Sequence, residues 1–90
     1  MEKKRAVVSV IGKDQIGIIA NVTTILSNHK INILDISQTI LQGFFTMMMI
    51  VDMTGANLED LQKEMDELAE KLNLKINIQL EDIFQAMHRI

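Results

Sequence analysis

Ninety residues with nine basic and twelve acidic side chains give a net charge of −3 and a hydrophobic fraction of 48%. A chain of this length forms one domain and buries roughly 60–65% of the surface its unfolded form would expose. There is no cysteine, which excludes disulfides and thiolate metal sites, and the one basic cluster, Lys3, Lys4 and Arg5, is too small to bind a phosphate backbone.

Proline is absent and no Ser/Gly-rich linker interrupts the chain, so the elements follow one another through short turns. Arg5 to Ile11 is β-branched and predicts the first strand. Ile18, Ile19, Val22, Ile25 and Leu26 recur at helical spacing and predict the first helix, ending near His29. Asn32 to Leu41 returns to strand character, with Leu34, Ile36 and Ile40 expected on one face and Asp35, Ser37 and Thr39 on the other. Gln42-Gly43 turns the chain into a third strand, Phe44 to Asp52, so this pair reads as a hairpin.

For the second helix Asn57 is the N-cap, Glu59 and Asp60 suit its positive end, and Leu58, Leu61, Met65, Leu68 and Leu72 form the apolar stripe. Lys71 and Asn73 suit its end. Lys75 to Leu80 alternates as a fourth strand, and Ile83, Ala86 and Met87 predict a short third helix within 81–89. The order βαββαβ is a split βαβ pattern, an α+β fold with a four-stranded antiparallel sheet and both main helices on one face. Strands one and three are apolar almost throughout, as central strands are, whereas two and four alternate, so the expected spatial order is 4-1-3-2. On strand three Phe44, Met48 and Ile50 oppose Phe45, Met47, Met49 and Val51, leaving an apolar second face for the terminal helix, a second subunit or both.

Where the first strand gives way to the first helix, Gly12-Lys13-Asp14-Gln15-Ile16-Gly17-Ile18-Ile19 places two glycines around a polar turn. Gly17 stands where a helix exposes unpaired N–H groups, and the missing Cβ allows close approach. Such a turn can hold an anion. This G-x-D-x-x-G-I-I turn within a βαββαβ order, with Asn32-Ile33-Leu34-Asp35-Ile36 opening strand two, resembles the ACT domain over about Arg5 to Leu80. The chain looks like the small, stand-alone single-ACT proteins of bacteria and archaea, one domain over 1–90 with its core at 5–80. The resemblance implies a ferredoxin-like fold and a regulatory module that binds an amino acid at the interface between paired domains. It also implies a polar contact from Asp14, three residues before Gly17, and a second from Asn32. Some amino-acid sensors of the family carry Asn at the position of Asp14 and His at that of Gly12, so the ligand is left open.

Each residue also has a plainer role. Asp14 either caps the first helix or pairs with a ligand ammonium group. Gly12 and Gly17 shape the turn, while the amides of Gly17 and Ile18 can hold a carboxylate. Lys13 is solvated or assists the anion, and Asn32 closes the turn after the helix or contacts ligand. His29 and His88 sit at ends of separate helices and supply too few ligands for a metal. Met47, Met48 and Met49 alternate across a strand, so they pack and do not converge on an ion.

Other functions on the same topology lack their residues. RNA-recognition modules need aromatics on central strands amid basic charge, metal chaperones a C-x-x-C loop, acylphosphatases an arginine in the first loop, and phosphate loops a Lys-Ser/Thr where Ile18-Ile19 stands. Ser9, Ser27 and Ser37 have no histidine placed beside them by spacing. The expectation is a homodimeric, non-enzymatic regulatory domain with an amino-acid ligand at its interface and no metal, cofactor or nucleic acid. A constitutive protein-interaction module is the main alternative, and an acyl-phosphate hydrolase a weaker one. No apolar run reaches the roughly 18 residues of a membrane span and no signal peptide is evident, so a cytoplasmic location is expected.

Overall fold

A computed structural model of the chain describes residues 4–81. Its elements are β1 (Arg5–Lys13), α1 (Ile18–Asn28), β2 (Asn32–Leu41), β3 (Phe44–Asp52), α2 (Leu58–Leu72) and β4 (Leu74–Leu80). The sheet is antiparallel throughout, in the order β2-β3-β1-β4, which is the expected topology. β1 runs two residues further than its β-branched stretch, because Gly12 and Lys13 continue the ladder opposite Phe45 and Phe44. The expected third helix falls outside the described residues apart from Glu81, whose carboxylate accepts two hydrogen bonds of 2.6 Å from the Arg5 guanidinium.

Both helices lie on one face of the sheet. Ile18, Val22 and Leu26 of α1 and Leu61, Met65 and Leu68 of α2 close over Ala6, Val8 and Val10, over Phe45, Met47, Met49 and Val51, and over Leu74 and Ile76. The alternation on β3 thus resolves as read: the odd-numbered residues from Phe45 to Val51 are buried, while Phe44 and Met48 are exposed on the opposite face. That open face is mixed. Across the registered rows Met48 lies between Ser37 and Ser9, and Thr46 lies between Thr39 and Ile11.

β2 departs from the period-two reading. A bulge between Ile33 and Asp35 leaves Leu34 as the extra residue, so it does not share the phase of Ile36 and Ile40. Beyond the bulge Ile36 and Ile40 stand opposite the buried Met49 and Phe45, hence on the helix side, yet both are exposed because the helices do not extend over this edge strand. The turn into β3 has positive φ at Gln42 (52°) and Gly43 (82°), the mirror-image turn that fits a two-residue hairpin. At α2 the Asn57 side chain accepts a 3.1 Å bond from the Asp60 N–H, and Asn73 ends the helix in the left-handed conformation.

Candidate functional site

The loop between β1 and α1 begins with a packing constraint. A Cβ on Gly12 would lie 2.6 Å from Leu74 Cδ2, so the glycine lets β1 run close against the start of β4. Gly17 is held at φ 95°, a conformation that side chains resist, and occupies the N-cap position of α1. No side chain caps that helix. Asp14 is therefore not its cap, because the chain turns through Gly17 and leaves the carboxylate three residues behind the N-cap position. The exposed Asp14 carboxylate has no hydrogen-bond or ion-pair partner among the described residues, while its backbone N–H donates to Gly43 O at 2.8 Å. The Gly17 carbonyl accepts from the Asn21 backbone N–H at 3.0 Å and from Asn21 Nδ2 at 2.7 Å.

Gln15 was missed by the sequence reading. Its Nε2 donates to Leu72 O at 2.8 Å and to Lys13 O at 3.3 Å, tying the loop to the last turn of α2. The partners are 57 residues apart, so no local spacing announces the contact. Lys13 and Ile16 are exposed, Ile16 completely, and Ile19 is partly exposed on the first turn of α1. Ile18 turns its side chain into the core, which leaves only its backbone facing the loop. The assembled group is a free carboxylate, a lysine and a helix start without a side-chain cap, with exposed apolar side chains beside it. Such a group can face a molecule carrying both an ammonium and a carboxylate.

Asn32 lies elsewhere. Its register partner is Asp52, which in turn pairs with Arg5, so Asn32 sits at one end of the sheet. Lys13 pairs with Phe44, which faces Leu41, at the other end. Eight residue steps along β1 separate those rows, roughly 26 Å. Asn32 instead borders a concavity of about 420 Å³ lined also by Thr23, Ser27, Lys30 and Ile33. Within one chain the structure does not bring Asn32 to the loop.

His29, read from sequence only as a helix-end cation, reaches across to α2, where its Nε2 meets the Glu64 carboxylate. Among the described residues no group of three or more His, Cys, Asp or Glu side chains can hold a metal ion, and no helix is long and apolar enough to cross a membrane.

A family model for the ACT domain matches residues 4–79. A UPF0237 protein of Clostridium acetobutylicum is 49% identical over 88 residues, spanning 96% of this chain and 99% of its own. Another from Methanocaldococcus jannaschii is 47% identical over 96% of this chain and 98% of its own. Among solved structures, an ACT domain protein from Streptococcus pneumoniae superposes with a TM-score of 0.80 at 39% identity, covering 93% of this chain and 97% of that one.

Proposed function

The chain belongs to the ACT domain family, whose members are regulatory domains that often bind amino acids, and from that premise we propose that it binds a free amino acid at the β1–α1 loop as a homodimer. The observation that carries the reading is the pairing of an unpartnered Asp14 carboxylate with the uncapped start of α1 at Gly17. The carboxylate suits the ligand's ammonium group, and the first-turn amides suit its carboxylate. Gly17 admits the ligand to the backbone, Lys13 adds positive charge on the carboxylate side, and the exposed Ile16 and Ile19 offer contact to an apolar side chain.

Asn32 supplies the second polar contact from the partner subunit, since its own protomer's loop is at the far end of the sheet. Occupancy then regulates whatever the dimer contacts. The test is a thermal-shift screen of the amino acids, followed by titration of the wild type and Asp14→Asn. Ligand at about 100 times its dissociation constant stabilises by roughly 2.7 kcal/mol, which raises the midpoint of so small a domain by about 10 °C or more. Asp14→Asn should keep the unliganded melting temperature and weaken binding by about tenfold or more, roughly 1.4 kcal/mol. A screen without a hit, or unchanged affinity in both Asp14→Asn and Asn32→Ala, refutes this site.

A further inference from the structure

On β1 the even-numbered residues Ala6, Val8 and Val10 face the helices, so Arg5, Val7, Ser9 and Ile11 turn to the open side of the sheet. Burial on that side is graded. Towards the β1–α1 loop Ile11 and Met48 are each 45% exposed and Phe44 62%, whereas at the other end Val7 is only 9% exposed and Ile50 is half-buried. Val7 is thus covered although α1 and α2 both lie on the opposite face.

The chain leaves β4 at this covered end, where Leu80 stands opposite Ala6. Glu81 follows and is already helical. Its carboxylate takes both arms of the Arg5 guanidinium at 2.6 Å, a two-point clamp that holds the exit of β4 towards the open side. The residues beyond it suit that face. Ile83, Met87 and Ile90 recur at i, i+4 and i+7 with Ala86 beside them, and Asp82 at the start with His88 and Arg89 near the end agree with a helix dipole.

We infer that residues 82–90 pack as a helix across the open face of their own protomer, with Ile83 over Val7, Met87 over Ile50 and Arg89 beside Asp35. The row Val7, Ile50, Asp35 runs straight across β1, β3 and β2. From β4 to β2 is three strand spacings, roughly 14 Å, and a helix over 82–90 rises by about the same distance. Asp35 brings the single charge of β2 to the open side at the end of that row, opposite in sign to His88 and Arg89. Beside it a hollow of about 100 Å³ between Asp35, Ser37, Met48 and Ile50 has room for one apolar side chain of the segment. The occupant is the chain's own segment because Arg5 and Glu81, which aim it, belong to one chain. The covered row lies at the end of the sheet away from Asp14 and Gly17, so the inference stands apart from the ligand reading.

The chain has no cysteine, so introduced pairs report the contact directly. Under mild oxidation of the full chain at low concentration, Ile50→Cys with Met87→Cys should close an intrachain disulfide at least about tenfold faster than Phe44→Cys with Met87→Cys, because Phe44 lies roughly 20 Å further along β3. Equal rates, or faster closure at position 44, overturn the docking. A covalent dimer in place of the intrachain bond assigns the segment to a second copy and overturns the intramolecular reading. Thiol labelling supplies a second readout. Val7→Cys should react slowly in the full chain, and adding Ile83→Asp and Met87→Asp should raise its rate by about tenfold or more. An unchanged rate overturns the inference by assigning the shielding of Val7 to its strand neighbours alone. A rise shared equally by Val8→Cys beneath the helices overturns it as well, since the segment would then be part of the core.

Discussion

Replacing Gly12 with alanine separates a packing glycine from a ligand-contacting one. The added methyl would stand 2.6 Å from Leu74 Cδ2, 3.4 Å from Leu74 Cα and 3.5 Å from Asn73 O. Carbon atoms in comfortable contact stay about 3.5–4.0 Å apart, so the Leu74 side chain must retreat by roughly 1 Å. Leu74 is buried against the core and cannot swing into solvent without giving up that packing. Overfilling a packed site costs about 1–3 kcal/mol, and the lower backbone entropy of alanine in the unfolded chain offsets about 0.4–1 kcal/mol. The net is a destabilisation of about 1 kcal/mol, or a fall of roughly 4–8 °C in melting temperature for a domain of this size. Thermal melts followed by circular dichroism measure it. Truncating the opposing residue supplies the control: Leu74→Ala alone should be strongly destabilising, about 2–5 kcal/mol, but the methyl at position 12 should then fit. The double variant should be more stable than the sum of the single effects by at least about 0.5 kcal/mol. An unchanged or higher melting temperature for Gly12→Ala, or strict additivity with Leu74→Ala, refutes the packing role.

Met48→Lys and Met49→Lys should behave oppositely although the residues are adjacent. Met49 is fully buried, so a lysine there places a charge in the core and should abolish cooperative melting, whereas Met48→Lys on the open face should leave the fold intact. Loss of cooperative melting in Met48→Lys, or its retention in Met49→Lys, would refute this assignment of the two faces. Asn57→Ala removes the side-chain oxygen that accepts from the Asp60 N–H and should lower stability by about 1 kcal/mol in denaturant titrations. Gln15→Leu should increase hydrogen exchange of the Lys13–Gly17 amides while leaving those of β1 protected, because the variant frees the loop from Leu72 without touching the ladder.

The features legible in the sequence were those set by local pattern. Alternation on β3 announced that Met47 and Met49 would share one face and Met48 the other, because successive side chains in a strand face opposite ways, and the packing of the helices decided which face is buried. The near-continuous apolar runs of β1 and β3 marked them as the central pair, and Asn57 with Asp60 three residues on gave the start of α2. What stayed hidden depended on long-range placement or on one extra residue. The bulge put Leu34 out of phase with Ile36 and Ile40, and period-two counting has no means to detect an inserted residue. In the loop, the acid at position 14 resembles a cap by residue type, but the left-handed turn at Gly17 is what starts the helix. Gln15 with Leu72 and His29 with Glu64 are contacts between residues 57 and 35 positions apart, visible only once the helices pack.

The loop's anchors bear on how occupancy at one site would reach the rest of the molecule. The Asp14 N–H is held by Gly43 at the hairpin that ends β2, and Gln15 by the last turn of α2, so the segment spans the edge strand and the helical layer. On the proposed reading a ligand that closes on Asp14 and the start of α1 therefore biases the β2–β3 hairpin. Coupling of this kind is reciprocal: if ligand tightens the dimer by a given factor, dimerisation tightens ligand by the same factor. On that reading affinity should then fall on dilution through the dimer dissociation range. An affinity independent of chain concentration across that range would place the whole ligand site within one protomer and leave Asn32 without a part in it.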